Sequence, residues 1–320
     1  MKQVGPEHLL RLSGNRLHWL ERRRHMEAML AQGLRNTLSG TRPMPGFVKL
    51  FPVIRLAVGM SGLQGRGRRN AAALRLTELE MRFDTLPPAF EGYRILFLSD
   101  LHVDALPATQ HAAERLVAGL PCDLVVLGGD YQSHGLPVAA EAGRLMAPLL
   151  SRLAPVDGVL GVLGNHDSHD MAAVLERLGV RMLLNERTTI ERAGQSLHVV
   201  GTDDPHCFYE AAAGRILTDS GDGFRIALVH TPELADVAAA AGFALYLAGH
   251  THGGQICLPG GRPVFTALDS HHPFAKGAWR HHAMQGYTTT GIGAGAPTVR
   301  FNSQGEVCVV TLRRISRAMG

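Results

Sequence analysis

Short apolar runs that end in carboxylates, imidazoles or an amide constrain this chain more than any other feature. "YRILFLS" (93–99) leads into Asp100 and His102, "DLVVLGG" (123–129) into Asp130, and "GVLGVLG" (158–164) into Asn165, His166 and Asp167. "SLHVVGT" (196–202) follows, then "FRIALVH" (224–230), which ends on His230, and "ALYLAG" (244–249), which delivers His250 and His252. Continuous apolar runs of this length suit strands buried on both faces. Between them lie "TQHAAERLVAGL", "VAAEAGRLMAPLLSRL", "MAAVLERLG" and "ELADVAAAAG", whose apolar spacing is helical. The alternation predicts an α/β fold. Leu76, Leu79, Met81 and Phe83 read as an entering strand, and "GYTTTGIGAG" with "VRFNSQGEVCVVTLRR" as closing strands. Open α/β sheets place their sites just past the C-terminal ends of strands, which is where the polar groups fall.

Side chains at i and i+2 of an extended segment point the same way. Asp100/His102 and His250/His252 therefore read as two-ligand clips. With Asp130, Asn165 and His230 they supply seven oxygen and nitrogen donors. Seven donors exceed the needs of one tetrahedral zinc. They suit two divalent metal ions sharing a carboxylate, which at roughly 3.5–4 Å apart can clamp a phosphoryl group and activate a water. The mixture of carboxylate, imidazole and amide points to Mn²⁺ first, with Fe or Zn²⁺ as alternatives, over a soft-metal site. A lone aspartate after a strand is ordinarily a turn or capping residue, and a lone core histidine is ordinarily structural. The ordered recurrence at successive strand ends is what carries the metal reading.

The pattern D-x-H … GD … GNHD … H … GHTH resembles the calcineurin-like metallophosphoesterase family over roughly residues 72–312. "GHTHGGQI" and "GIGAGAPTVRF" are similar to a bacterial branch of phosphodiesterases often associated with the membrane or envelope. The resemblance implies a four-layer αββα sandwich of two mixed β-sheets. It places Asp100, His102 and His252 on one metal, Asn165, His230 and His250 on the other, and Asp130 between them. It makes His166 the residue that stabilises the phosphoryl oxygens or protonates the leaving group, oriented by Asp167, with a metal-bridging hydroxide as nucleophile. One departure is local: many relatives carry an aspartate three residues after "GD", where this chain has Asp130-Tyr131-Gln132-Ser133.

Other polar residues are weaker candidates. Gln255 reads as support for the histidine loop. His271 and His272 sit with His281 and His282 in the polar insertion "SHHPFAKGAWRHH", either a solvated loop or a lip that contacts substrate. His134, His169 and His206 follow ligand-bearing motifs and are candidates for the mouth of the site. Arg300 is either a phosphate contact or a surface residue.

Charge divides the chain. Residues 1–70 hold 13 Lys/Arg against 3 Asp/Glu, and the remainder holds 19 against 25. The division sets a basic, mainly helical extension (1–70) against a phosphoesterase domain (71–320). Within the extension, residues 7–38 read as helix, "SGLQGRGRRN" (61–70) as linker, and 47–63 as an apolar segment too short and too charged for a span. The segment either lies in a membrane interface or belongs to an extension packed on its own domain. No secretory signal is legible. Four dispersed cysteines read as reduced thiols. These features predict a cytoplasmic protein, peripheral on the inner membrane if the segment binds lipid. The expected partner is a phosphoester substrate, lipid-linked or nucleotide-linked. A nuclease is the rival reading, disfavoured because the leader lacks interleaved aromatics. A non-catalytic metal-binding scaffold is the other rival, disfavoured because every ligand type is present. Nothing in the sequence bears on oligomeric state.

Overall fold

The computed structural model describes residues 14–46, 51–133 and 139–315. Two six-stranded mixed sheets form the body. The first contains β3 (Arg75–Phe83), β4 (Arg94–Leu98), β5 (Leu124–Leu127), β6 (Val159–Gly161), β7 (Val180–Met182) and β14 (Glu306–Arg314), in the order β3-β14-β4-β5-β6-β7. The second contains β8 (Glu186–Arg192), β9 (Gln195–Gly201), β10 (Phe224–Leu228), β11 (Leu245–Ala248), β12 (Gly277–His281) and β13 (Met284–Thr288), in the order β12-β13-β11-β10-β9-β8. Strands β4, β5 and β6 run parallel, as do β9, β10 and β11, so their C-terminal ends share one edge of each sheet. The antiparallel pairs β14–β4, β8–β9 and β12–β13 make both sheets mixed.

Alternation along each strand explains the layering. Ile95, Phe97 and Val126 meet Val199, Ile226, Leu228 and Leu247 in a core between the sheets. Their neighbours Leu96, Leu98, Val125 and Leu127 point outward, onto Val117 of α4 (Pro107–Val117), Met146 and Leu149 of α5 (Ala139–Leu150), and Met171 and Leu175 of α6 (His169–Arg177). On the far side Val200, Ala227, Tyr246 and Ala248 pack on Ala213 and Leu217 of α7 (Ala211–Thr218) and on Ala235 and Ala238 of α8 (Ala235–Ala240). The architecture is the four-layer αββα sandwich. Each fully buried Leu, Val or Phe in these layers contributes about 1.5–3 kcal/mol by leaving water.

The N-terminal region departs from the sequence reading. Helix α1 (Gly14–Ala31) ends before Gly33, whose φ of 81° no helix accepts, and the chain turns into a hairpin of β1 (Leu34–Thr37) and β2 (Gly40–Pro43). The predicted helix over 7–38 is therefore too long at its C-terminal end. Helix α2 (Phe51–Met60) leaves Val53, Leu56 and Met60 exposed. The predicted linker 61–70 instead contains most of α3 (Gln64–Ala72). Gly67 lets α3 lie directly on Val299 and Phe301, and that packing offsets the poor intrinsic helicity of a Gly- and Arg-rich stretch. The histidine-rich insertion also holds more order than a solvated loop, since β12 pairs with β13 and stacks Trp279 on Phe274. Among the described residues, no helix is long and apolar enough to cross a membrane.

Candidate metal centre

The loops that follow β4, β5, β6, β10 and β11 converge. Asp100, His102 and His252 bring one ligand atom each to within 4.8 Å of one another, and Asp130, His230 and His250 do the same beside them. The ligand pairs do not sit on extended backbone, as expected from their i, i+2 spacing. Asp100, His102, Asp130, His250 and His252 all have positive φ, between 41° and 70°. The strand ends there and the chain turns so sharply that each ligand residue itself takes the left-handed conformation, which such residues hold only when their surroundings over-determine it. Glycine serves close approach instead. A Cβ on Gly249 would collide with Ser99 Oγ and Asp100 Oδ2, and one on Gly164 with Asp130.

The imidazoles are oriented for cations. His102 Nδ1 lies 3.0 Å from the Gln132 carbonyl, His230 Nδ1 2.7 Å from that of Gly128, and His250 Nε2 3.1 Å from that of Ala267. A carbonyl only accepts, so each ring donates there and turns its other nitrogen inward, as a lone pair where the ring is neutral. Those lone pairs meet further acceptors. His102 Nε2 faces His252 Nε2 at 3.2 Å, while Asn165 Oδ1 lies 2.7 Å from His250 Nδ1 and 3.1 Å from His230 Nε2. A concentration of inward-facing acceptors calls for positive charge between them. The donor set fits divalent metal ions.

Electrostatics agree for His250 and His252. His230 is the exception. Burial works against its charge, but Asp130 and Asp100 outweigh it and hold the ring well above the usual imidazole range. Its inward nitrogen therefore carries a proton toward Asp130 that a bound cation would replace. Burial, with His206 and His230, holds His250 well below the usual imidazole range; burial, with His102 and Arg300, does the same for His252. Both are thereby neutral and ready to ligate. Burial alone would raise Asp130, but His230 and His166 outweigh it and hold the carboxyl well below its ordinary range. Burial raises Asp100, with His230 opposing. Oδ2 of Asp130 lies 3.3 Å from His230 Nε2 and 3.8 Å from His102 Nε2, between the two ligand groups.

His166 lies on the open side. Its Nε2 is 4.0 Å from Asp130 Oδ2, and its side chain is 26% accessible while that of Asp130 is 1%. Asp167, expected beside that ring, has its carboxylate engaged by the backbone N–H groups of Asp130, Tyr131 and Gly164 at 2.8–2.9 Å. It locks the β5 and β6 loops together. Burial and the neighbouring Asp130 push its carboxyl up to about 6.

The weaker candidates are placed as follows. Gln255 donates to the Gly295 and Pro297 carbonyls and so joins the His252 loop to the 293–299 loop. Arg300, fully buried, donates to the carbonyls of Thr290, Gly293 and His252 and underpins that loop. His271 Nε2 sits 3.1 Å from Asp236 and His272 Nδ1 3.0 Å from Thr266 Oγ1, apart from both ligand groups. His169 is held by Glu27. His206 lies tilted against the His250 ring, centroids 4.6 Å apart, and forms, with Glu233 and Asp269, a third group of the same donor types, against which Arg35 is packed. His134 lies outside the described residues.

Sequence reasoning passed over Asp203, Asp204, Glu233, Arg23 and Arg35. Asp203 and Asp204 follow β9 in "GTDDPH" and obey the same strand-end rule as the ligands, so a signal was present. Glu233 and the arginines carried none.

A histidine- and carboxylate-lined centre at the strand ends of an αββα sandwich defines a metal-dependent phosphoester hydrolase. The family model for calcineurin-like phosphoesterases matches residues 93–254, half of the chain, and the protein belongs to that family. Among its relatives, the uncharacterized metallophosphoesterase YkoQ of Bacillus subtilis is 27% identical over 252 residues, covering 76% of this chain and 92% of that protein. The phosphodiesterase YaeI of Escherichia coli is 29% identical over 233 residues, covering 69% and 82% respectively. The structure of the protein TT1561 from Thermus thermophilus aligns with a TM-score of 0.43 and 15% identity, over 63% of this chain and 90% of that one.

Proposed function

We propose that this protein is a phosphodiesterase or pyrophosphatase working with two divalent metal ions. The observation that carries the reading is the position of Asp130 Oδ2 between the Asp100–His102–His252 group and the His230–His250 pair with Asn165. On this reading the first group holds one ion, Asn165, His230 and His250 hold the other, and Asp130 is shared. Bound there, two cations polarise a phosphoryl group and acidify an attacking water; Mn²⁺ suits the donors first, Fe or Zn²⁺ next. His166 faces the open side, where its imidazole can hydrogen-bond a phosphoryl oxygen or hand a proton to the departing oxygen. Asp167 keeps Asp130 and the turn bearing His166 in register through their backbone. The diester preference draws on YaeI, which is named a phosphodiesterase.

Residues 71–320 are read as the phosphoesterase domain and 1–70 as an extension to it. The exposed Val53, Leu56 and Met60 of α2, near Arg55, Arg66 and Arg68, favour peripheral contact with an anionic membrane and a lipid-linked substrate at the inner face. Hydrolysis of bis-p-nitrophenyl phosphate beside p-nitrophenyl phosphate, after stripping and reloading with Mn²⁺, tests the reaction. Preference for the bis-ester, abolished by Asp130→Ala, is expected. Exclusive turnover of the monoester, or bis-ester turnover that survives Asp130→Ala, would overturn it.

A further inference from the structure

The chemistry-bearing turn of the β6 loop is held from outside the domain by a side chain of the N-terminal extension. Asn165 and His166 are the two central residues of a turn closed by the Asp167 N–H on the Gly164 carbonyl at 3.3 Å. Nη2 of Arg23, on α1, donates to the same Gly164 carbonyl at 3.2 Å and to the Asp167 carbonyl at 2.6 Å. One nitrogen thus spans both ends of the turn that presents Asn165 and His166.

The guanidinium is itself fixed on every side. Nη1 donates to Asp203, Nε donates to Glu27 at 3.3 Å, and the plane lies 3.5 Å over the Phe208 ring. Trp19, one turn earlier on α1, donates from Nε1 to the other Asp203 oxygen at 2.7 Å. Arg23 is completely buried. Burial works against its charge, and Asp203, Glu27 and Asp204 overcome that opposition. A buried cation with all these contacts satisfied is an expensive fixture for a surface helix if its only task is docking, because an apolar residue would dock a helix without a desolvation penalty. Only a planar fork can reach Asp203 with one nitrogen and two carbonyls with the other.

We infer that Arg23 is a positioning residue for the metal centre, acting through the backbone of the Gly164–Asp167 turn to set Asn165 toward the second ion and His166 toward the substrate. The inference rests on the roles proposed above for Asn165 and His166. It gives α1 a part in the chemistry through backbone carbonyls of the turn and not through a ligand atom.

The test uses the full chain, stripped of metal and titrated calorimetrically with MnCl₂, followed by kcat and KM on bis-p-nitrophenyl phosphate at saturating Mn²⁺. Arg23→Lys keeps a charge for Asp203 and loses the fork. Arg16→Gln loosens the same helix from Met182, Glu186 and Glu176, none of which belongs to the turn. In folded Arg23→Lys, one Mn²⁺ equivalent is expected to bind about 10–100-fold more weakly, the usual effect of losing a group that orients a ligand, with the other unchanged. A fall of kcat with KM changed by less than about twofold is expected beside it. Arg16→Gln is expected to lose thermal stability and keep both affinities. Unchanged Mn²⁺ binding and kcat in folded Arg23→Lys would overturn the inference, and so would an equal loss in Arg16→Gln, which would reduce the effect to helix docking. If Arg23→Lys does not fold, Phe208→Leu removes only the ring beneath the guanidinium. A weakening of the same equivalent supports the inference, and an unaltered titration overturns it. Failure of the wild type to hydrolyse the bis-ester would count against the proposed reaction alone, because the titrations decide the role of Arg23 whatever ester is cleaved.

Discussion

His166 differs from its neighbours in the "GNHD" stretch by facing outward, and its replacement separates catalysis from metal binding. His166→Gln is expected to lower kcat by about 10²–10⁴-fold, the range for a lost general acid. Metal content measured by atomic emission should stay at the wild-type value; a variant that loses an ion would make His166 a ligand. Gly249→Ala tests the opposite case. Its new Cβ meets Ser99 Oγ and Asp100 Oδ2, so metal content should fall while His166 is untouched. All the proposed ligands were legible because each follows an apolar run, and carboxylates, imidazoles and an amide recur in order at successive strand ends. The left-handed backbone at Asp100, His102, Asp130, His250 and His252 was not legible, since aspartate and histidine are enriched in that region but still adopt it only in a small minority of cases. Arg23 was hidden for a different reason: its carbonyl partners lie 141 and 144 positions away along the chain.

At the scale of elements, the extension splits into two parts with opposite surfaces. Helix α1 buries Trp19, Arg23 and Met26, and the hairpin that follows joins the β9 loop through backbone bonds from Asn36 N–H to the Cys207 carbonyl and from Tyr209 N–H to the Asn36 carbonyl. Trp19→Ala is expected to cost about 3–5 kcal/mol in urea unfolding, as for a core aromatic; a loss below about 1 kcal/mol would show that α1 docks only loosely. Helix α2 presents Val53, Leu56 and Met60 to solvent. Val53, Leu56 and Met60 changed together to Ser should abolish sedimentation with anionic vesicles at low salt, and wild-type protein that never sediments would remove the membrane from the proposed function. Basic charge and apolar spacing announced a helix at α1 and an apolar segment at 47–63. They could not divide the labour between them, because whether an amphipathic stretch meets protein or lipid depends on surfaces supplied elsewhere in the fold. For α3 the decisive partner, Phe301, is more than two hundred residues downstream.

Across the whole molecule the two sheets are tied by one buried carboxylate. Glu306 opens β14 in the first sheet and accepts from Tyr287 of β13 in the second at 2.9 Å, from Thr289 and the Thr290 N–H at 3.0 Å, and from Thr77 of β3 at 2.6 Å. Burial alone would raise its pKa, but the bonds from Thr77, Thr290 and Tyr287 outweigh burial and hold it below the ordinary carboxylate range. A depressed folded-state pKa gives stability that is present above the unfolded value, near about 4.3, and is lost as pH falls through the folded value. Glu306→Gln should therefore lower stability by about 1–3 kcal/mol at neutral pH and flatten the acid limb of the stability curve; an unaltered acid limb would assign that loss to other carboxylates. The α/β alternation was legible from the rhythm of apolar runs and the sandwich from the family resemblance, but this tie was in neither, since nothing in "QGEVCVV" distinguishes a buried glutamate from an exposed one.

The grip of Arg23 on Asp203 spans 180 positions, and this has a consequence for synthesis. Helix α1 leaves the ribosome long before the β6 and β9 loops that receive it. At about 5–20 residues per second it waits roughly ten to forty seconds for its seat. Throughout that interval Trp19 and Met26 are exposed on a basic helix with nothing to cover them. Helix α1, made early, thus takes its full seat only after the β6 and β9 loops have emerged.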